Sequence, residues 1–120
     1  MVCVGTDSDS KDGKTVYATA VVVHRVGNGA TYFYRKVVEK GRHDMYTRLF
    51  REAELSVEMA KMVKDILGVS PIVHLDIGEE GESSKVMPTL VGYVVGMGFK
   101  CIVKPESFAA YKVAHRHTKW

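Results

Sequence analysis

Apolar and polar positions change period twice along the chain. Residues 2–8, 15–26 and 30–38 are rich in β-branched residues, and the last run carries Tyr32, Phe33 and Tyr34, so three strands are predicted. The polar stretch 9–14 contains Gly13, and Gly27-Asn28-Gly29 follows the second run; both read as tight turns. Three strands joined in this way form an antiparallel meander. Gly41 interrupts the alternation, and from Asp44 to Leu67 the spacing becomes helical. Asp44 is the expected N-cap and Gly68 the expected stop.

The pattern then changes back. Residues 71–77 read as a compact apolar strand, 78–83 as an acidic loop and 84–95 as a helix. Pro88 is tolerable there only near the first turn. Gly98 ends that helix, residues 100–103 read as a fifth strand, and Pro105-Glu106-Ser107 starts a last short helix to about His115. The predicted order is βββαβαβα. It implies a single α/β domain over 1–120, with a five-stranded mixed sheet and helices on both faces. The crossovers are expected to be right-handed, with strand one parallel to strand four.

Composition narrows the classes. The chain has 120 residues, 46% hydrophobic and 26% charged, an ordinary globular balance. Its longest uninterrupted apolar run, 20–23, is far below the ~20 residues a membrane-spanning helix needs, so no membrane partner is expected. The N-terminus lacks the basic and apolar regions of a secretory signal, which points to a cytoplasmic protein. A net charge of +3 permits a nucleic-acid partner without arguing for one. Cys3 and Cys101 are too few for a disulfide scaffold or metal cluster. They fall on strands separated by strand four, so they should not bond to each other.

The candidate chemistry lies in the carboxylates. Asp7 falls at the C-terminal end of strand one and Asp76 at that of strand four. In open α/β sheets ligands gather outside such ends. Two adjacent carboxylates repel, and a hard divalent cation such as Mg²⁺ or Mn²⁺ relieves that repulsion. On the long helix, Leu49, Ala53, Ser56, Met59, Ala60, Val63 and Leu67 fall in one stripe. Glu52 sits near its middle, whereas Glu54 and Glu58 lie opposite, as a solvated face. A carboxylate among core-facing positions needs a partner. That partner is either a cation shared with the two aspartates or a neighbouring base, Arg48 or Lys104.

Other motifs are quieter. His24, His43 and His74 read as structural. His115 and His117, beside Arg116 and Lys119, are open to two readings: a metal ligand or proton shuttle, or part of a basic solvated tail. Gly78-Glu79-Glu80-Gly81 lacks the lysine of a phosphate loop and carries the wrong charge.

The element order, together with Val4-Gly5-Thr6-Asp7-Ser8, Phe33-Tyr34-Arg35-Lys36, His74-Leu75-Asp76-Ile77-Gly78 and Lys104-Pro105-Glu106-Ser107, resembles the ribonuclease H-like fold. More narrowly it resembles the small bacterial YkuK family of RNase H-related nucleases. The resemblance implies a metal-dependent phosphodiesterase acting on RNA, an RNA–DNA hybrid or structured DNA. Asp7, Glu52 and Asp76 would be its catalytic, Mg²⁺- or Mn²⁺-binding carboxylates. The fourth ligand in such folds is usually acidic and comes from the last helix; here that helix offers His115 or His117. Lys104, Arg35, Lys36, Arg116 and Lys119 are the expected phosphate contacts. A non-catalytic nucleic-acid-binding domain with a degenerate site is the alternative. The aromatic third strand, as an exposed edge, could support a homodimer.

Overall fold

A computed structural model describes residues 1–25, 27, 29–78, 81–104 and 117–118. β1 Val2–Lys11 and β3 Gly29–Lys40 are longer than the sequence pattern predicts, and β2 Lys14–Arg25 is shifted by one residue. The difference arises at the first turn. Only Asp12 and Gly13 form it, with φ of 53° and 73°. These left-handed values suit a two-residue turn of the kind that matches strand twist. The ladder therefore continues to Lys11↔Lys14, and polar residues 9–11 are strand rather than loop.

Helix α1, Met45–Leu67, begins as predicted. The Asp44 carboxylate accepts from the Thr47 amide at 2.8 Å, and the Gly68 amide caps Lys64. Strand β4, Ile72–His74, is much shorter than the apolar run suggests. Beyond it only single backbone bonds persist toward the next strand, from Leu75 to Ile102 and from Lys104 to Ile77, both 2.9 Å. A 3-10 turn, Glu82–Val86, leads into α2, Met87–Gly96, with Pro88 in its first turn where no amide is needed. Strand β5 is Lys100–Ile102. The predicted last helix, 105–115, lies outside the described residues.

The sheet order is β3-β2-β1-β4-β5, antiparallel across β1–β2–β3 and parallel across β1–β4–β5. This is the predicted mixed sheet. Cys3 pairs with Ile72 and Cys101 with Val73, so β4 separates the cysteines and both are free.

α1 and α2 pack on the same face of the sheet. Val57, Ala60 and Val63 of α1 meet Val2, Val4 and Val21 of the sheet and Leu90 and Val94 of α2 in one core. Each fully buried aliphatic side chain there contributes roughly 1.5–3 kcal/mol. The buried stripe of α1 is wider than the predicted one, because Leu55 and Val57 join it. Leu67, predicted inside, is 55% exposed, since the helix outruns the sheet. Thr6, Thr19 and Ser56 share hydroxyl hydrogen bonds of 2.9 and 2.7 Å that tie α1 to β1 and β2 without leaving a buried polar atom unmatched. The opposite face carries two small buried clusters, Cys3 with Val22 and Ala18 with Ala20.

Candidate metal and nucleic-acid site

The β1–β4 ladder ends at Gly5↔His74 while β1 runs on to Lys11. Past Gly5, then, the sheet has a step, and a groove opens beside it. Its volume is about 230 Å³, and Asp7, Met45, Arg48, Leu49, Glu52, Asp76 and Ser83 line it. The three carboxylates singled out from the sequence thus reach one cavity, from β1, α1 and the turn after β4.

Glu52 is the most constrained of them, only 7% exposed. Ser8 Oγ donates to its Oε2 at 2.5 Å. Arg48, one helical turn earlier, donates from Nε to Ser8 Oγ at 2.8 Å and from Nη2 to the Ser8 carbonyl at 2.6 Å. Strand alternation explains the meeting: Val2, Val4, Thr6 and Ser8 all face α1. Burial pushes the Glu52 carboxyl up to about 8, and the nearby Asp7 and Asp76 charges raise it further, against the Ser8 hydrogen bond and Arg48. Asp76 is 26% exposed at its side chain and pairs with Lys104 Nζ at 2.8 Å. Of the two candidate bases for Glu52, Arg48 acts through Ser8, and Lys104 serves Asp76 instead. A Cβ on Gly78 would stand 3.3 Å from Lys104 Cβ, so a small residue there lets Lys104 lie against the turn.

The other predicted residues are spread more widely. Arg35 faces α1 and reaches Glu58 at 3.5 Å. Lys36 faces the other way, in one cross-strand row with Ala18 and Asp7. His117 stacks on Tyr34, with ring centroids 3.5 Å apart and planes 11° from parallel. The register places Tyr34 across Ala20 from Gly5, so His117 sits over β3, two strands from β1, and is not brought to the carboxylates. His115, Arg116 and Lys119 lie outside the described residues. His74 is buried in β4 and His43 bonds Tyr17 Oη at 2.7 Å, both structural placements. Ser8 and Arg48 were not singled out as site residues. The four-residue spacing of Arg48 and Glu52 puts those two on one helix face, but nothing along β1 marks Ser8 as the group between them.

In donor chemistry and charge the groove fits a hard divalent cation: three carboxyl groups, one of them pushed toward protonation by burial first and by its like-charged neighbours second. In this conformation, however, Lys104 balances Asp76. Among the described residues no group of three or more His, Cys, Asp or Glu is gathered closely enough to hold a metal ion.

A family model described as ribonuclease H-like matches residues 1–119, and the chain belongs to that family. Membership supports a nuclease-related or nucleic-acid-binding role, and members of the superfamily often use Mg²⁺ or Mn²⁺. The uncharacterised protein YkuK of Bacillus subtilis (strain 168) is 27% identical over 136 aligned positions, covering 99% of this chain and 79% of that relative. No solved structure matches the chain significantly. Among the described residues no helix is long and apolar enough to cross a membrane.

Proposed function

We propose that the chain is a divalent-metal-dependent nuclease that hydrolyses phosphodiester bonds in RNA, an RNA–DNA hybrid or structured DNA. The observation carrying this reading is the convergence of Asp7, Glu52 and Asp76 on one groove at the sheet step. These residues would hold Mg²⁺ or Mn²⁺. Such ions, when bound in pairs, supply an activated water and charge relief for the leaving oxygen. Glu52 is held by Ser8, and Ser8 by Arg48, so its carboxylate is oriented before any ligand arrives. Lys104, paired with Asp76, would supply a cation to a phosphate oxygen. Lys36, in the cross-strand row of Asp7, would contact the backbone further along. Arg35, Arg116 and Lys119 complete the proposed contact set, and His115 would be the further metal ligand. The protein would work in the cytoplasm, where free cysteines persist, and would self-associate through the outer edge of β3.

The second reading is a nucleic-acid-binding domain without catalysis. The Lys104–Asp76 ion pair favours it, because an internal cation already serves one carboxylate. Incubation of labelled RNA, hybrid and branched DNA with Mn²⁺ separates the two readings. The nuclease reading expects cleavage that falls at least a hundredfold in Asp7→Asn. Cleavage unchanged in that variant sinks the site assignment. Salt-sensitive binding with no cleavage of any substrate selects the second reading.

A further inference from the structure

The register of the first hairpin carries an unusual row of charges. Lys11 pairs with Lys14, and Lys14 pairs with Lys40. All three are exposed, and among the described residues none of them is in an ion pair. Cross-strand partners share a face and sit about 5 Å apart, where like charges destabilise the sheet. Arg42 follows directly after Gly41, whose amide extends the ladder by donating to the Gly13 carbonyl at 2.8 Å. The acidic groups nearest the row are the exposed Asp12 in the turn and the half-buried Asp9, two residues before Lys11 on the same face, against the four bases Lys11, Lys14, Lys40 and Arg42. The fold therefore maintains a local surplus of positive charge at a standing energetic cost, and an anionic ligand would remove that cost.

The row also has a definite position relative to the carboxylates. Asp7, Ala18 and Lys36 form one cross-strand row, and Lys11, Lys14 and Lys40 form a parallel one on the same face, away from α1. Four residues of strand separate them, about 14 Å. A duplex rises about 3.4 Å per base pair along its axis, so the two rows span about four base-pair steps of a duplex aligned with the strands.

We infer that Lys11, Lys14 and Lys40 form a second phosphate-binding site, which grips the sugar–phosphate backbone of a nucleic acid that extends from the carboxylate groove across the face opposite α1. The inference deepens the proposed function and rests on its premise that nucleic acid is the ligand.

The test is fluorescence-anisotropy binding of labelled duplex and single-stranded oligonucleotides in EDTA over a salt series. It compares the wild-type chain, Lys11→Gln/Lys14→Gln/Lys40→Gln, and Lys61→Gln/Lys64→Gln on exposed α1 positions. The triple variant should flatten the slope of log K against log salt by about 2.7 on a duplex and about 2.1 on a single strand. Binding at 0.1 M salt should weaken on the order of a hundredfold. The α1 pair should keep the wild-type slope. Circular-dichroism melting of the triple variant should be no lower than wild type, because a repulsion is gone. If the triple variant fails to fold, Lys14→Gln alone should reduce the slope by about 0.9. Wild-type binding with an unchanged slope in the lysine variants overturns the row alone. Absence of any wild-type binding overturns the row together with the nucleic-acid reading of the groove.

Discussion

The Ser8 hydroxyl donates to the Glu52 carboxylate while accepting from the Arg48 guanidinium. A cation thus reaches a buried carboxylate through one intervening hydroxyl, and β1 is locked to α1 at the mouth of the groove. Ser8→Ala removes the hydroxyl and leaves Glu52 without this donor. A buried group stripped of its partner costs about 1–3 kcal/mol. Urea unfolding at neutral pH should show that loss, and the loss should shrink in a Glu52→Gln background. Equal losses in both backgrounds would show the two residues are not coupled.

Glu52 also sets a pH dependence. Its carboxyl rises from an ordinary value of 4.5 to about 8 in the fold. The folded state therefore favours the protonated form, and ionisation works against folding once pH exceeds the unfolded value. The metal-free protein should lose stability progressively from about pH 4.5 to about pH 8, by on the order of a few kcal/mol in total. Melting temperature measured across that range should decline more steeply for the wild type than for Glu52→Gln. Parallel curves would place the titration elsewhere.

Lys104 and a divalent cation would serve the same Asp76 oxygen. Lys104→Met removes the internal competitor and should tighten Mn²⁺ binding by about tenfold, since an adjacent opposite charge is commonly worth a pKa unit or more to a carboxylate. Calorimetric titration reads this directly. Weaker Mn²⁺ binding in the variant would show that Lys104 supports the site rather than competing for it.

The start of α1 positions both Arg48 and Glu52. Asp44→Ala deletes the side chain that accepts from the Thr47 amide. Loss of such a cap costs about 1 kcal/mol. Guanidinium unfolding should show that change, with greater amide exchange in the first turn. An unchanged midpoint would mean that packing alone fixes the helix start.

Much of this arrangement was legible in the residues themselves. Asp44 and Gly68 bound α1, and β-branched runs marked the meander. Asp7, Glu52 and Asp76 were expected on converging elements and do line one groove. The Asp12-Gly13 pair was a two-residue turn signal hidden inside a longer polar stretch, so the hairpin was read too short. Strand β4 was read too long, because an apolar run records burial and not pairing: Leu75 and Ile77 are buried beyond the ladder's end. The Arg48–Ser8–Glu52 chain and the Lys104–Asp76 pair depend on which strand face meets which helix turn. That choice is tertiary, and spacing along one element does not carry it. Arg35 and Lys36 show the same limit. Adjacent in sequence and alike in charge, they stand on opposite faces of β3, one held by Glu58 and the other in the row of Asp7.

The step where β1 outlasts β4 separates two kinds of constraint. Below it β1, β2 and β4 each lie between two neighbouring strands, and a change in their length would slip the core. Above it β1, β2 and β3 continue as a three-stranded ladder without β4, and Asp12 and Gly13 close the first turn. Lengthening all three strands by two residues would carry Lys11, Lys14 and Lys40 about 7 Å further out and keep every side chain on its present face. The carboxylates would not move. Under the proposed function this extension would act as an adjustable ruler beside a fixed jaw: its length would set the span of backbone gripped and leave the place of cutting unchanged.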